Sequence, residues 1–250
     1  MPADLHLFAV PGIPEVTQGA DIAQLIVDAL TRAGVAIETG DVFVVAQKIV
    51  SKAEGAVVQL RDISPSALAM EWAAAWGRDA AVVEVVLSES RRIVRMDRGI
   101  IISETRHGFI CANAGVDASN VPKGFVTVLP RDPDASALQL QTGLVGRLNR
   151  RVATIVSDTF GRPWREGVVN VALGVGGLAP LLDCRGMTDR FGRTLETTII
   201  NVADELASAA ELVMGKRAET PVAIVRGAAE WLGSGRGSDL LRSPAMDMFR

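Results

Sequence analysis

A chain of 250 residues, 48% hydrophobic and 22% charged, is long enough to bury one large core or two small ones and has an ordinary soluble-enzyme composition. Its formal net charge of −3 supplies no global field toward nucleic acid, and 4% aromatic residues with no tyrosine argue against a base-stacking surface. Cys111 and Cys184 are far apart, with no metal-ligand or redox spacing, and are expected as reduced, partly buried thiols. The opening Met1-Pro-Ala-Asp lacks a basic region and an apolar stretch, and no apolar run reaches the roughly 18–20 residues that cross a bilayer. A cytoplasmic protein with no membrane partner is expected.

In chain order, residues 5–10 read as a short strand, broken by Pro11-Gly12-Ile13-Pro14. Asp21 is placed to cap a helix with Ile22, Leu25, Ile26, Ala29 and Leu30 at helical spacing, stopped near Gly34. Val42–Ala46 is a buried strand, and Gln47, Lys48, Ser51 and Lys52 follow it directly. Lysines just beyond the carboxyl end of a buried strand suit an anion, but taken alone they read first as a solvated connection. Ser64-Pro65 is read as the start of a helix that runs past Trp72 and Trp76 to Gly77, both tryptophans being packing residues. Residues 80–88 form another apolar helix. Four strand candidates then succeed one another, at 92–96, 99–103, 109–112 and 126–129. That run is unlike a regular βαβ alternation.

Asp132 and Asp134 are read as caps and turn formers for a helix reaching about Leu148. Residues 151–157 form a buried strand, and 168–175 an apolar one. Gly174, Gly176 and Gly177 invite a phosphate-loop reading, weakened by the lack of a Gly-Lys-Ser/Thr ending. An Ala-rich helix is expected over about 196–214, ended by Gly215, then a last strand at 221–225 and a mobile tail around 233–237. The fold class is mixed α+β, with mixed or antiparallel sheets and flanking helices, not a regular Rossmann fold. One domain spanning 1–250, with room for two lobes, is expected.

Two polar stretches between apolar runs carry the chemistry. In Asn113-Ala-Gly-Val-Asp-Ala-Ser-Asn120, Gly115 is free to take positive φ and let Asp117 and Asn120 aim at one point. An Asx-turn closing a hairpin-like connection is the bland alternative. In Ser157-Asp-Thr-Phe-Gly-Arg-Pro-Trp-Arg-Glu-Gly167, Asp158 and Thr159 offer hard oxygens, and Arg162 and Arg165 offer guanidinium forks for phosphate. Gly161 and Pro163 are expected to bend the chain so that both arginines stay near Asp158. Carboxylate and hydroxyl for Mg²⁺ or Mn²⁺, with Lys and Arg for phosphate, is a kit for a nucleoside triphosphate. His6 and His107 are read as structural, and no Ser-His-Asp signature is present.

Five stretches then occur in order: Pro11-Gly-Ile-Pro14, Gln47-Lys-Ile-Val-Ser-Lys-Ala-Glu-Gly55, Asn113-Ala-Gly-Val-Asp-Ala-Ser-Asn120, Ser157-Asp-Thr-Phe-Gly-Arg-Pro-Trp-Arg165 and Glu211-Leu-Val-Met-Gly215. Together they resemble the coenzyme F420-0:L-glutamate ligases (gamma-glutamyl ligases) over nearly the whole chain. The resemblance implies an unusual mixed α/β fold, a homodimer, and GTP-dependent addition of L-glutamate to F420-0. It implies a divalent metal held by Asp117, Asp158 and Thr159, with K⁺ as an accompanying ion. It also implies GTP contacts from Gly12, Ile13, Pro14 and Glu15, from Gln47 and Lys52, and from Asn120. Lys52 is expected to offset charge on the transferring phosphoryl group, and at least one of Arg162 and Arg165 to contact either that group or the phosphodiester of F420-0. Lys216 stands where some members carry an acidic residue, and the fused reductase-like domain of some bacterial members is not expected here. Rival expectations are a metal-dependent phosphohydrolase and a non-catalytic deazaflavin- or nucleotide-binding module.

Overall fold

The computed structural model describes residues 4–215 and 220–248. The chain opens with β1 (His6–Ala9), α1 (Ile22–Ala33), β2 (Val42–Ala46), α2 (Gln47–Ala53) and β3 (Val57–Gln59). Next come α3 (Ala67–Trp76), α4 (Ala80–Glu89), β4 (Ser90–Asp97), β5 (Ile100–Thr105) and β6 (Ile110–Ala112). After β7 (Phe125–Thr127) and α5 (Pro133–Leu148) come β8 (Ala153–Arg162) and β9 (Arg165–Gly176). The described chain closes through β10 (Leu181–Asp183), β11 (Ile199–Asn201), α6 (Val202–Met214) and β12 (Val222–Arg226). The architecture is mixed α+β, and it is not a regular Rossmann fold.

The largest sheet has the order β1-β12-β2-β8-β9, and within it only β2 and β8 run parallel. The sequence of β2, Val-Phe-Val-Val-Ala, is apolar at every position because both sheet faces are covered. Phe43 and Val45 pack with Ile26 and Leu30 of α1 and Leu144 of α5. Val42 and Val44 pack on the other face with Leu206, Ala207 and Ala210 of α6. The ends of α1 are as its sequence requires. Asp21 accepts the Gln24 N–H at 2.9 Å, and Gly34 closes the helix in the left-handed conformation. A second assembly packs α3 and α4 on the antiparallel sheet β4-β5-β6 through Ala69, Val86 and Ile101. Trp72 joins this core, its ring 5.7 Å from that of the half-exposed Trp76. Both cysteines are free and buried.

Several expected elements are corrected. The helix cap is Ser66 rather than Ser64, because the Ser66 hydroxyl is the one that reaches an N–H three residues on, at Ala69. β7 pairs with β3 instead of extending the β4–β6 run, so the stretch from Asn113 to Asn120 closes no hairpin. Residues 199–201 are strand β11 against β10, and Asn201 caps α6 only from that point. Gly174 and Gly176 form a packing seam, not a phosphate loop. A Cβ on Gly174 would lie 2.1 Å from the Pro133 carbonyl oxygen, and one on Gly176 2.7 Å from that of Ala137. The tail is anchored rather than mobile: Asp134 accepts the N–H groups of Val175, Gly237 and Ser238 at 3.1, 2.5 and 3.3 Å. Asp132 caps α5 as expected, so the two aspartates divide two tasks. His107 is structural, with Nε2 2.9 Å from the Pro130 carbonyl oxygen. No helix among the described residues is long and apolar enough to cross a membrane.

Candidate active site

The parallel pair β2–β8 ends with Ala46 beside Ser157, so the next residues of both strands emerge side by side. One strand passes into α2 with Gln47 and Lys48, and the other continues with Asp158 and Thr159. Ligands of open α/β sheets collect at such carboxyl ends. A cavity of about 930 Å³ opens there. Its walls include Ile13, Pro14 and Glu15 of the first turn, Gln47, Lys48 and Lys52 of α2, and Asp117, Ser119 and Asn120. Asp158, Thr159, Asn170 and Glu211 complete the polar side. Gly12 is not among the walls: it forms the turn at φ 77° and its carbonyl accepts from Arg32 at 2.8 Å. Lys216 lies outside the described residues.

The lysines are not on a solvated connection. They stand four apart on α2 and therefore share a face. Lys52 is 8% exposed, and its Nζ donates to Glu15 Oε1 at 2.5 Å. Gln47 is buried, its Oε1 2.8 Å from the Ser51 hydroxyl, which also lies 2.7 Å from the Val128 carbonyl oxygen. Lys48 Nζ donates to Asp117 Oδ2 at 2.6 Å and to the Ser119 hydroxyl and carbonyl oxygens at 2.5 and 2.9 Å.

Asp117 is fixed at both ends. Its N–H and C=O pair with Thr127 at 3.0 and 2.8 Å, and its Oδ1 accepts the Ser119 N–H at 2.6 Å, the Asx-turn of the bland alternative. Gly115 takes φ 72°, as expected, after left-handed Asn113 and Ala114 at 52° and 51°. A Cβ on Gly115 would also strike Leu129 at 2.7 Å. Burial pushes the Asp117 carboxyl up, but the Lys48 ammonium and the Ser119 donors outweigh it and hold the group below its usual range. The nearby Cys111 thiol is pushed up to about 12 by burial and by the Asp158 carboxylate.

Asp158 and Thr159 sit on a strand and not in a loop. β8 runs unbroken to Arg162, turns at Pro163 and Trp164, and returns as β9. The register slips by one residue between Val156 and Ser157, where Leu173 of β9 is the extra residue of a bulge. Arg162 and Arg165 pair with each other at the exposed hairpin tip, and neither lines the cavity. Gly161 and Pro163 do not fold them back toward Asp158, because cross-strand pairing holds the chain extended through Arg162.

Sequence reasoning missed Asn170 and Glu211 as site residues. Asn170, buried in β9 opposite Thr159, accepts the Thr159 hydroxyl at 2.8 Å and donates to Glu211 Oε2 at 3.1 Å. A lone Asn inside Val168-Val-Asn-Val-Ala172 was the available signal, since an amide is costly in a buried strand without a purpose. The Thr159 hydroxyl spends its proton on Asn170 and turns its lone pairs elsewhere.

This donor set fits a hard divalent cation. Asp117, Asp158, Thr159 and Glu211 offer oxygen only. Among the described residues no three His, Cys, Asp or Glu side chains close into a cage. Such a cation would therefore keep room for waters and phosphate oxygens, as Mg²⁺ does. The cavity carries four carboxylates, Glu15, Asp117, Asp158 and Glu211, against Lys48 and Lys52 among its described residues. A polyphosphate entering such a wall needs accompanying positive charge.

The model of the F420-0:Gamma-glutamyl ligase family matches residues 12–227. The chain is 49% identical over 250 residues to the coenzyme F420:L-glutamate ligase of Methanothermobacter thermautotrophicus, covering 98% of this chain and 99% of that one. The enzymes of the same name from Methanopyrus kandleri and Methanocaldococcus jannaschii are each 46% identical, over 98% and 86% of both chains respectively. With a family match across most of its length, and relatives aligned nearly end to end, this chain belongs to the F420-0:gamma-glutamyl ligase family.

Proposed function

We propose that this protein is a GTP- and metal-dependent ligase that adds L-glutamate to coenzyme F420-0, with further additions to the growing γ-glutamyl tail. The observation that carries the reading is the single cavity where two lysines and the oxygen donors Asp117, Asp158 and Thr159 meet at the ends of β2 and β8. The terminal carboxylate of F420-0 attacks the γ-phosphorus of GTP, giving an acyl phosphate and GDP. The glutamate amine then attacks the acyl carbon, expelling inorganic phosphate and forming the amide.

Lys52 holds a fixed ammonium where the phosphates lie, and its buried stem keeps it there with little reorganisation. The turn Gly12-Ile-Pro-Glu15, with Gln47 and Asn120, positions the nucleotide. Asn170 orients the Thr159 hydroxyl, and the pairing of β8 with β9 fixes Asp158 one residue before it. Asp117, Asp158 and Thr159 would hold a Mg²⁺ or Mn²⁺, which would supply charge neutralisation to the transferring phosphoryl group. The homodimer belongs to the same reading, since the β8–β9 hairpin leaves Trp164 82% and Val168 56% exposed beyond the sheet. A phosphate role for Arg162 or Arg165 goes with a second copy's hairpin reaching the cavity.

Mass spectrometry of a reaction of F420-0, GTP, Mn²⁺ and glutamate tests the proposal. Glutamylated product and GDP are expected together, and Asp158→Asn should abolish both while leaving circular dichroism and the melting temperature unchanged. GDP released at full rate without F420-0 or glutamate would make the protein a phosphohydrolase. Ligand binding without turnover would make it a binding module.

A further inference from the structure

We infer that Lys48 is a resident counter-cation of Asp117 that a divalent cation must displace, and that the freed ammonium then moves to the nucleotide's phosphates. The first half rests on this geometry and on the metal reading above; the second rests on the nucleotide reading as well. Lys48 Nζ is surrounded by three oxygens, Asp117 Oδ2, Ser119 Oγ and the Ser119 carbonyl, at 2.5–2.9 Å. That is a small cation shell, and it satisfies all three ammonium donors.

Three of the roughly four lone-pair sites of the Asp117 carboxylate are correspondingly taken. Oδ1 accepts the Ser119 N–H, and Oδ2 accepts both Lys48 and the Ser119 hydroxyl, the latter at 3.0 Å. A Mg²⁺ sits about 2.0–2.1 Å from a ligand oxygen. At that distance from Oδ2 it meets an ammonium only 2.6 Å from the same atom. Two cations that close repel strongly in a partly buried site, so one of them leaves. The lysine is the mobile one, being a point charge on a flexible four-carbon stem. Its other direction is set by α2, where Lys52 one turn on already faces the same cavity. Metal and nucleotide binding are thereby coupled, because phosphate draws off the ammonium that competes for Asp117.

The test is Mn²⁺ binding without nucleotide, followed by loss of the free-ion electron paramagnetic resonance signal, for wild type, Lys48→Met and Asp117→Asn. Lys48→Met should bind Mn²⁺ about tenfold tighter than wild type, and Asp117→Asn should bind it more weakly than either. A second measurement needs no variant. Acetylation of Lys48 in the wild-type protein, read by peptide mass spectrometry, should accelerate several-fold with Mn²⁺. It should slow again when guanosine 5′-(β,γ-imido)triphosphate is added. Equal or weaker Mn²⁺ binding by Lys48→Met overturns the exchange, as does acetylation indifferent to Mn²⁺. Mn²⁺ binding to none of the three proteins overturns both this inference and the metal part of the ligase reading. Tight binding by Lys48→Met, with no glutamylated product from wild type, overturns the ligase reading and leaves the exchange standing.

Discussion

At the scale of single residues, the two cavity lysines differ in what their partners give up. The carboxylate of Glu15 is 76% exposed, so losing Lys52 returns it to water at little cost in stability, within about 1 kcal/mol. Lys52→Met keeps the buried stem and removes only the charge. The KM for GTP should rise roughly tenfold to a hundredfold, matching the ~1.5–3 kcal/mol of a charge-assisted contact, while the KM for glutamate stays put. Steady-state kinetics with each substrate varied in turn checks this. A rise confined to glutamate would place Lys52 at the amine end of the reaction.

At the scale of elements, helix α5 lies against β9 because two glycines remove the side chains between them. Gly174 has no unusual φ to protect, so the effect of filling it is purely steric. Gly174→Ala pushes backbone against backbone and should cost roughly 2–3 kcal/mol, lowering the melting temperature by several degrees. Nucleotide affinity measured at low temperature should barely change. An effect on affinity without one on melting would revive the phosphate-loop reading. This seam also shows what the sequence withholds. The apolar β2 and the capped α1 are legible because their patterns are local: every position of β2 is hydrophobic, and Asp21 and Gly34 bracket a helical period. The role of Gly174 depends on Pro133, about forty residues earlier, and nothing local distinguishes a packing glycine from a phosphate-binding one. Asp117, which lines the cavity, was legible as a candidate for its polar neighbours and for Gly115. Its ammonium partner lies 69 residues away, so the pairing was not. The stretch after Ser157 was misread because Gly161 and Pro163 signal a loop, whereas cross-strand partners keep the chain extended.

At the scale of the whole molecule, a dimer formed through the hairpin tip would connect oligomeric state to catalysis. Trp164 and Val168 point a dimer of the proposed kind toward this hairpin. Val168→Asp should shift the mass measured by light scattering toward one copy. If Arg162 or Arg165 serves a second copy's cavity, Arg→Lys at that position should cut kcat with the dimer intact, since lysine keeps the charge and loses the planar fork. Normal kinetics in both single variants and in the double variant would leave the arginines as hairpin-tip residues only. The continuity of β8 has a further consequence. One unbroken strand carries Ile155 of the core and Asp158 of the cavity, with its neighbours hydrogen-bonded on both sides as far as Ser157. The opposite wall, residues 118–120, is exposed and hangs on the Asp117–Thr127 pairing. Amide hydrogen exchange should therefore divide the site in two: residues 155–157 opening only with global unfolding, residues 118–120 opening orders of magnitude sooner. The cavity is then a fixed anvil on the sheet side and a yielding jaw on the loop side, and under the proposed reading a lengthening γ-glutamyl tail is accommodated by the jaw.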